Sequence, residues 1–191
     1  MELQQVAPGL WRWSAAHPEW EAPKEVDSPA DWPREVGSVA YDSGDTLVLI
    51  DPLVVDGDVS ALDTLAKDKN VAVLVTVKWH ERSRDEVKRR YDASATVPEG
   101  VTAFEVAGAG ETIFWIPEHR ALVPGDRILG DRPQGLRMCP ESWLRHLGGY
   151  TQDDLRAGLQ PLLDLPVELV LVSHGEPVLQ DGRAALERAL E

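Results

Sequence analysis

Alternating apolar and polar segments along this chain predict strands that lead into capped helices. Residues Val71–Val77 form a near-continuous apolar run rich in valine, which is typical of a strand buried on both faces. Ser83, with Glu86 three residues later, predicts a capping box at the start of a helix. We therefore expect Lys78–Arg82 to form a short loop at the carboxyl end of a central strand, where open α/β sheets usually place their chemistry.

The residues before this strand predict an edge strand, a β-hairpin and a helix. Large apolar residues in Leu10–Trp13 are spaced as in an edge strand. Two apolar segments, 36–41 and 46–50, flank the turn Asp42–Asp45, whose composition is typical of a hairpin. Asp58 is placed to cap a helix whose apolar residues fall on one face. The first half of the chain therefore begins with strands and then alternates strand with helix.

The second half of the chain predicts short strands interspersed with helices. We expect strands at 95–97, 101–106, 112–116, 121–123 and 167–172. Helices are expected at 140–147, after the cap pair Thr151 and Asp154, and at 181–190. Residues 127–139 contain glycines and a proline, and they predict a loop.

Three segments resemble the metal motifs of the metallo-β-lactamase superfamily. A strand ending in Thr76, followed by a polar turn into a helix, is similar to the segment in which Thr leads into His-x-His-x-Asp-His. Gly125-Asp126 resembles the Gly-Asp segment of that family, and His174-Gly175 after a strand resembles its last metal motif. The resemblance spans essentially the whole chain. It implies an α+β fold, a four-layer αββα sandwich formed by residues 1–191 as a single domain.

The resemblance also implies a metal site that has lost most of its ligands. The four histidine positions of the family fall on Val77, Trp79, Arg82 and Ala107. Asp126, at the position of the bridging carboxylate, and His174 remain as candidate catalytic residues, with Glu81 as an acidic substitute in the first motif. We therefore expect no cofactor, and in particular no dinuclear zinc. The alternative is one zinc or another divalent metal ion.

Two residues of the first motif decide how this site is interpreted. Arg82 cannot lose a proton to become a ligand, so we expect its guanidinium to replace the metal and to pair with Asp126 or Glu81. His80 becomes a ligand only if a one-residue shift in the loop turns it inward. The residual metal candidates are His80, Glu81, Asp126 and His174, in a cleft that also contains Trp79, Arg82 and Ala107.

Alternatives stay open at three other places. Residues 17–35 carry four prolines and predict an ordered loop, in which Trp20 and Trp32 either staple the loop to the core or line the mouth of a pocket. Without its metal, His174 either persists as a hydrogen-bonded core histidine or keeps a catalytic role. Glu111 is either a cleft carboxylate or an edge residue whose hydrogen bonds are satisfied.

Composition and charge narrow the range of partners. Nineteen Lys and Arg against 33 Asp and Glu give a net charge of −14, which makes nucleic acid and anionic membranes poor partners. Cys139 is the single cysteine, so an intrachain disulfide is impossible. The first residues lack a signal-peptide pattern, and we expect an acidic cytoplasmic protein that binds a small molecule or a protein partner.

Two functions from different classes are consistent with these residues. In the first, the chain is a non-catalytic or metal-independent relative that keeps the cleft for a small ligand or a partner. In the second, it is a hydrolase of small esters or thioesters with a reduced, single-metal site. Metal binding distinguishes the two, because only the second function requires it.

Overall fold

The computed structural model describes residues 1–132 and 135–191, which form two main β-sheets packed face to face, a separate two-stranded pair, and helices outside. The strands are β1 Gln4–Ala7, β2 Leu10–Ala16, β3 Glu35–Asp42, β4 Thr46–Ile50, β5 Asn70–Leu74, β6 Thr102–Val106, β7 Glu111–Ile116, β8 Ala121–Val123, β9 Ile128–Asp131, β10 Gly135–Met138 and β11 Leu169–Val170. The α-helices are α1 Ser60–Leu65, α2 Arg84–Tyr91, α3 Gln152–Leu159 and α4 Gly182–Leu190. Short 3-10 helices occupy Lys78–Glu81, Pro117–His119, Glu141–Leu147 and Gln160–Asp164.

The two main sheets share one apolar interface. The first sheet has the order β1-β2-β3-β4-β5, and the second has the order β11-β8-β7-β6. In β4, Val48 and Ile50 point to the second sheet, where they share a core with Phe114 and Ile116 of β7. Successive side chains of a strand point to opposite faces. The run Thr46–Ile50 is therefore apolar throughout because both of its faces are buried.

Helices cover the outer face of each sheet. Leu47 and Leu49, on the other face of β4, form a cluster with Leu62 of α1 and Val87 of α2. Buried residues of α3 and α4, including Leu155 and Leu186, pack in the same way on the second sheet. The layers are therefore helix, sheet, sheet and helix, and the predicted αββα sandwich is confirmed.

The described helices are short. The longest of them, α4, has nine residues. Within residues 1–132 and 135–191, no helix is long and apolar enough to cross a membrane.

Several local predictions are corrected by the packing. The strand expected at the centre, β5, lies at one end of the first sheet, where β4 pairs with it in parallel and Ala72 makes one isolated bridge to Ser94. It is still buried on both faces, because α2 covers its outer side. Leu10–Ala16 is not an edge strand, since β1 pairs outside it. The strand expected at 95–97 does not form in this described segment.

The region 127–139, expected as a loop, instead contains an antiparallel pair. Strands β9 and β10 pair with Gly135 opposite Asp131 and Met138 opposite Ile128. Pro133 and Gln134, which belonged to the predicted loop, lie outside the described residues. The pair is stabilised from outside, since Ile128, Leu129 and Leu136 are buried in the core under α4. Loop composition therefore did not reveal the short apolar runs that tertiary packing turns into strands.

At one end of the sandwich, hydrogen bonds join the two sheets directly. Gly37 N donates to Ser173 O at 2.7 Å, and Thr112 N donates to Thr76 O at 2.8 Å. Gly130 N, in the separate pair β9–β10, donates to His174 O at 2.9 Å and so attaches this pair to the same end. The loops after β5, β8 and β11 consequently converge at this end.

The two capping boxes predicted from sequence have different outcomes. Thr151 and Asp154 form the reciprocal pair, with Asp154 N donating to Thr151 Oγ1 at 3.2 Å and Thr151 N donating to Asp154 Oδ2 at 2.9 Å. Ser83 does not cap α2, because its hydroxyl bonds the backbone N–H and carbonyl of Val54 instead. The same sequence signature therefore caps only the helix whose serine or threonine has no competing partner.

We expect Thr151→Ala to lower the free energy of unfolding by about 1 kcal/mol, as for other lost N-caps. Glu86→Ala is the control, because Glu86 occupies the third helical position, equivalent to that of Asp154, in a box that forms no side-chain cap bond. Urea denaturation of both variants checks this. Equal losses in the two variants would contradict the assignment.

Candidate metal centre

Three buried side chains from separate loops meet where the sheets are joined. His80 follows β5, Asp126 follows β8, and His174 follows β11. Asp126 Oδ1 lies 3.0 Å from His80 Nε2 and 3.0 Å from His174 Nε2. This oxygen is buried and accepts no aligned hydrogen bond from the described residues. The two imidazoles therefore converge on Oδ1 in distance without pointing N–H groups at it.

The orientation of His80 is set by a neighbouring carboxylate. His80 Nδ1 lies 2.8 Å from Asp51 Oδ2, and Thr76 donates to the same carboxylate through both its backbone N–H, at 2.8 Å, and its hydroxyl, at 2.5 Å. Asp51 and Thr76 follow the neighbouring parallel strands β4 and β5, so their side chains meet at one sheet edge. With Nδ1 engaged in this way, Nε2 is the atom that faces Asp126.

The position of Asp126 is set by a second carboxylate, that of Glu111. The two Glu111 oxygens accept hydrogen bonds from the backbone N–H groups of Gly125, Asp126 and Arg127 at 2.6–3.0 Å. Burial raises the pKa of Glu111 to about 7, and the negative charge of Asp126 adds to this. Of the two alternatives for Glu111, the structure therefore places it as a buried residue that fixes the Gly125-Asp126 turn.

The pKa values of His80, His174 and Asp126 are shifted in different directions, although both imidazoles lie beside the same oxygen of Asp126. Burial disfavours the charged form of His80, but the carboxylates of Asp126 and Asp51 outweigh it and raise the pKa of His80 to about 9. Burial lowers the pKa of His174, and Asp126 offsets only part of this effect. Burial alone would raise the pKa of Asp126, yet His80 and His174 hold it well below its usual range. Asp126 is therefore ionised at neutral pH.

Arg82 lies in the cleft, but it does not pair with the carboxylates expected for it. Its Nη1 donates to the carbonyls of Gly37 at 2.8 Å and Asp51 at 3.0 Å, and its Nη2 donates to Ser173 Oγ at 2.7 Å. No ion pair from Arg82 to Asp126 or Glu81 is formed within the described chain. The prediction that Arg82 substitutes for the metal by pairing with these carboxylates is therefore wrong. Arg82 instead joins the ends of both sheets through their polar groups.

The cleft above the cluster has aromatic walls and a volume of about 380 Å³. Trp32 and Trp143 stand edge-on to His174, with ring centroids 5.8 and 5.9 Å away. The other aromatic and imidazole rings in the walls are Trp79, His17 and His146. Trp32 thus lines the cleft and also packs against the core, whereas Trp20 donates to the Trp32 carbonyl at 2.8 Å within the loop 17–35. Both roles considered for these tryptophans therefore apply to Trp32.

The remaining predicted residues lie in different places. Trp79 lines the cleft, and its indole N–H donates to Asp126 Oδ2. Glu81, expected in the cleft as a ligand, points away from it and pairs with Arg84 at the surface, because the turn that brings His80 inward carries Glu81 outward. Ala107 is exposed at the turn between β6 and β7 and is not part of the cleft wall. Val77 is buried and bridges to Glu111.

Sequence reasoning missed the supporting role of Asp51 and Arg127. Asp51 carried a signal, since it ends a buried strand next to the strand that ends in Thr76. Arg127 had none: it is fully buried, donates through Nε and Nη2 to Ala109 O at 3.2 and 2.9 Å, and stacks over Trp79 at 5.8 Å.

His80, Asp126 and His174 fit one divalent metal ion. Two imidazoles and a carboxylate form the ligand set of mononuclear zinc sites and of related iron sites. One ligand atom from each residue falls within 4.8 Å of the others. A buried oxygen with two unaligned nitrogens around it is the arrangement expected of ligand atoms that share an ion. In residues 1–132 and 135–191, this is the only group of three or more such side chains whose ligand atoms lie this close together.

The fold agrees with that of known metallo-β-lactamases. VMB-1 superposes with a TM-score of 0.59 at 13% identity, covering 100% of this chain and 98% of that chain. The metallo-β-lactamase from Hirschia baltica gives 0.59 at 15% identity over 99% and 95%. The NDM/FIM-1-like enzyme from Erythrobacter litoralis, in its mono-zinc form, gives 0.62 at 15% identity over 99% and 94%.

At the level of sequence, neither a family model nor a curated protein matches. The structural likeness at these identities establishes the fold. The chain therefore has the metallo-β-lactamase fold, as its motifs predicted.

We expect Arg82→Ala to lower the free energy of unfolding by about 3 kcal/mol, because buried acceptors left without a donor cost about 1–3 kcal/mol each. Arg84→Ala is the control, since Arg84 pairs only with Glu81 and Asp85 at the surface, and its loss should change stability by less than about 0.5 kcal/mol. Chemical denaturation at pH 7 measures both. A near-neutral Arg82→Ala would show that these three bonds do not join the sheets.

Proposed function

We propose that this chain is a metal-dependent hydrolase of small esters or thioesters that uses one divalent ion held by His80, Asp126 and His174. The observation that carries the proposal is the buried Asp126 Oδ1, which has an imidazole nitrogen 3.0 Å away on each side and no aligned donor among the described residues. The ligands come from loops spread over residues 80–174, which supports the view that residues 1–191 act as one domain.

The residues around the cluster have definable roles in such a site. A divalent ion at this position would lower the pKa of a bound water toward about 7 and polarise a substrate carbonyl. Asp51 orients His80 through Nδ1 and leaves Nε2 for coordination, the usual arrangement behind a metal-binding histidine. Trp32, Trp79 and Trp143 exclude water from the cleft and provide flat apolar surface for an acyl group.

A structural neighbour supports the count of one ion. The Erythrobacter litoralis enzyme is described in a mono-zinc form, so this fold accommodates a single ion. Two nitrogens and one oxygen would hold the ion through three protein ligands, the number that catalytic zinc sites use, and the ion would supply activation of water or substrate.

A second candidate function, metal-independent binding of a small ligand or a protein partner, is favoured by a different observation. His80 lies between two carboxylates, 2.8 Å from Asp51 and 3.0 Å from Asp126. An imidazolium in this position would compensate both buried charges without a metal. The aromatic cleft would then serve binding alone.

Metal titration separates the two functions. Protein stripped with chelator and titrated calorimetrically with zinc, manganese or iron is expected to bind one equivalent per chain, and His80→Ala or His174→Ala should abolish it. His119→Ala is the control, because His119 packs against Tyr41 away from the cleft.

Hydrolysis of chromogenic esters and thioesters should rise with the metal and disappear in chelator. Absence of binding at saturating metal would select the metal-independent function, and two equivalents would contradict both.

A further inference from the structure

Trp79 combines a half-exposed ring with a polar bond to the centre of the site. Its exposed fraction is 50%, which makes it one of the few large apolar side chains exposed to solvent among the described residues. Its Nε1 nevertheless donates to Asp126 Oδ2, an oxygen of a carboxylate that is itself buried. Packing alone does not account for this arrangement, because a phenylalanine ring would pack without directing an N–H group at Asp126.

The indole ring is held in place by its neighbours. The Arg127 guanidinium carbon lies 5.8 Å from the ring centroid, and the edge of His146 approaches at 5.1 Å. Arg127 is fixed in turn by two bonds to the Ala109 carbonyl and is fully buried. The N–H group is therefore aimed at Asp126 by a preformed support.

This bond divides the two oxygens of Asp126 between different tasks. A carboxylate can bind two metal ions, one through each oxygen, whereas an indole N–H is a donor only and cannot act as a ligand. Here Oδ1 faces His80 and His174, and Oδ2 is occupied by the N–H of Trp79. Oδ1 is consequently the oxygen of Asp126 that no described protein donor occupies, and a metal at Oδ2 would have to share that oxygen with the N–H of Trp79.

We propose that Trp79 is a positioning residue that limits this centre to one metal ion, because it occupies Asp126 Oδ2 and supplies no ligand of its own, and that it keeps Oδ1 directed at the two histidines. The inference rests on the proposed function in that it concerns the same three ligands. It goes further by naming the residue that sets how many ions these ligands hold and how the carboxylate of Asp126 is oriented.

The test compares Trp79→His, Trp79→Phe and Trp20→Phe with the wild type, using calorimetry and elemental analysis for zinc and absorption spectra for cobalt. Trp79→His frees Oδ2 and supplies a ligand beside it, so it should bind one equivalent more than the wild type, with a changed cobalt spectrum. Trp79→Phe frees Oδ2 but supplies no ligand beside it, so it should keep the wild-type count with at least about tenfold weaker affinity, as for other lost supporting bonds. Trp20→Phe is the matched control, because the Trp20 N–H donates to the Trp32 carbonyl outside the metal cluster, and it should match the wild type.

The outcomes for the two proposals are distinguishable. If the wild type binds one ion and Trp79→His also binds one, the role of Trp79 is overturned while the proposed function stands. If the wild type binds no ion, the proposed function fails, and the limit to one ion set by Trp79 is overturned with it.

A measurement on the metal-free wild type keeps the test independent of variant folding. The Trp79 indole N–H should exchange slowly with solvent despite the exposure of its ring, because it is bonded to a buried oxygen. Rapid exchange of this proton would overturn the proposal even if Trp79→His did not fold.

Discussion

The buried carboxylate of Asp126 is the group on which the candidate site depends. An ionised group removed from water is stable only with close, well-placed partners. Its partners are Trp79, His80 and His174, which come from two loops far apart in the chain. The two sheets must therefore meet in one register at this end, and the bonds from Gly37 to Ser173 and from Thr112 to Thr76 hold them there.

Two further buried carboxylates support this arrangement from behind. Asp51 contacts both Thr76 and His80, so the end of the first sheet and the imidazole that faces Asp126 are positioned together. Glu111 accepts hydrogen bonds from three consecutive backbone N–H groups and thereby fixes the turn that contains Asp126. The acidic residues of the site thus divide into one that faces the cleft and two that hold its surroundings.

The site differs from the family pattern because one turn presents a different residue. His80, one position beyond a histidine position of the motif, faces inward, while Glu81 turns to the surface and pairs with Arg84. Trp79 and Arg82, which cannot ligate a metal, fill the neighbouring space and bond to protein groups. The result is a smaller ligand set under aromatic walls, rather than an empty copy of a two-metal site.

Much of the fold could be predicted from sequence because it follows from local patterns. The apolar run Thr46–Ile50 requires cover on both faces, and the structure provides a sheet on one side and helices on the other. The cap pair Thr151 and Asp154 needs only its own helix, and it forms as predicted. Asp126 and His174 also follow strands where the family pattern puts them, so their meeting at one end was predictable from topology.

Other features were decided by tertiary contacts alone. The inward turn of His80 depends on Asp51, which lies 29 residues away in sequence. Ser83 bonds to Val54 instead of capping its helix. The apolar residues of 127–139 form strands only because they pack against the core under α4. The sequence by itself determined which segments leave water and which bonds neighbours in the chain can make. The partner of each buried polar group was chosen by packing, because the competing donors and acceptors come from segments that meet only in the folded chain.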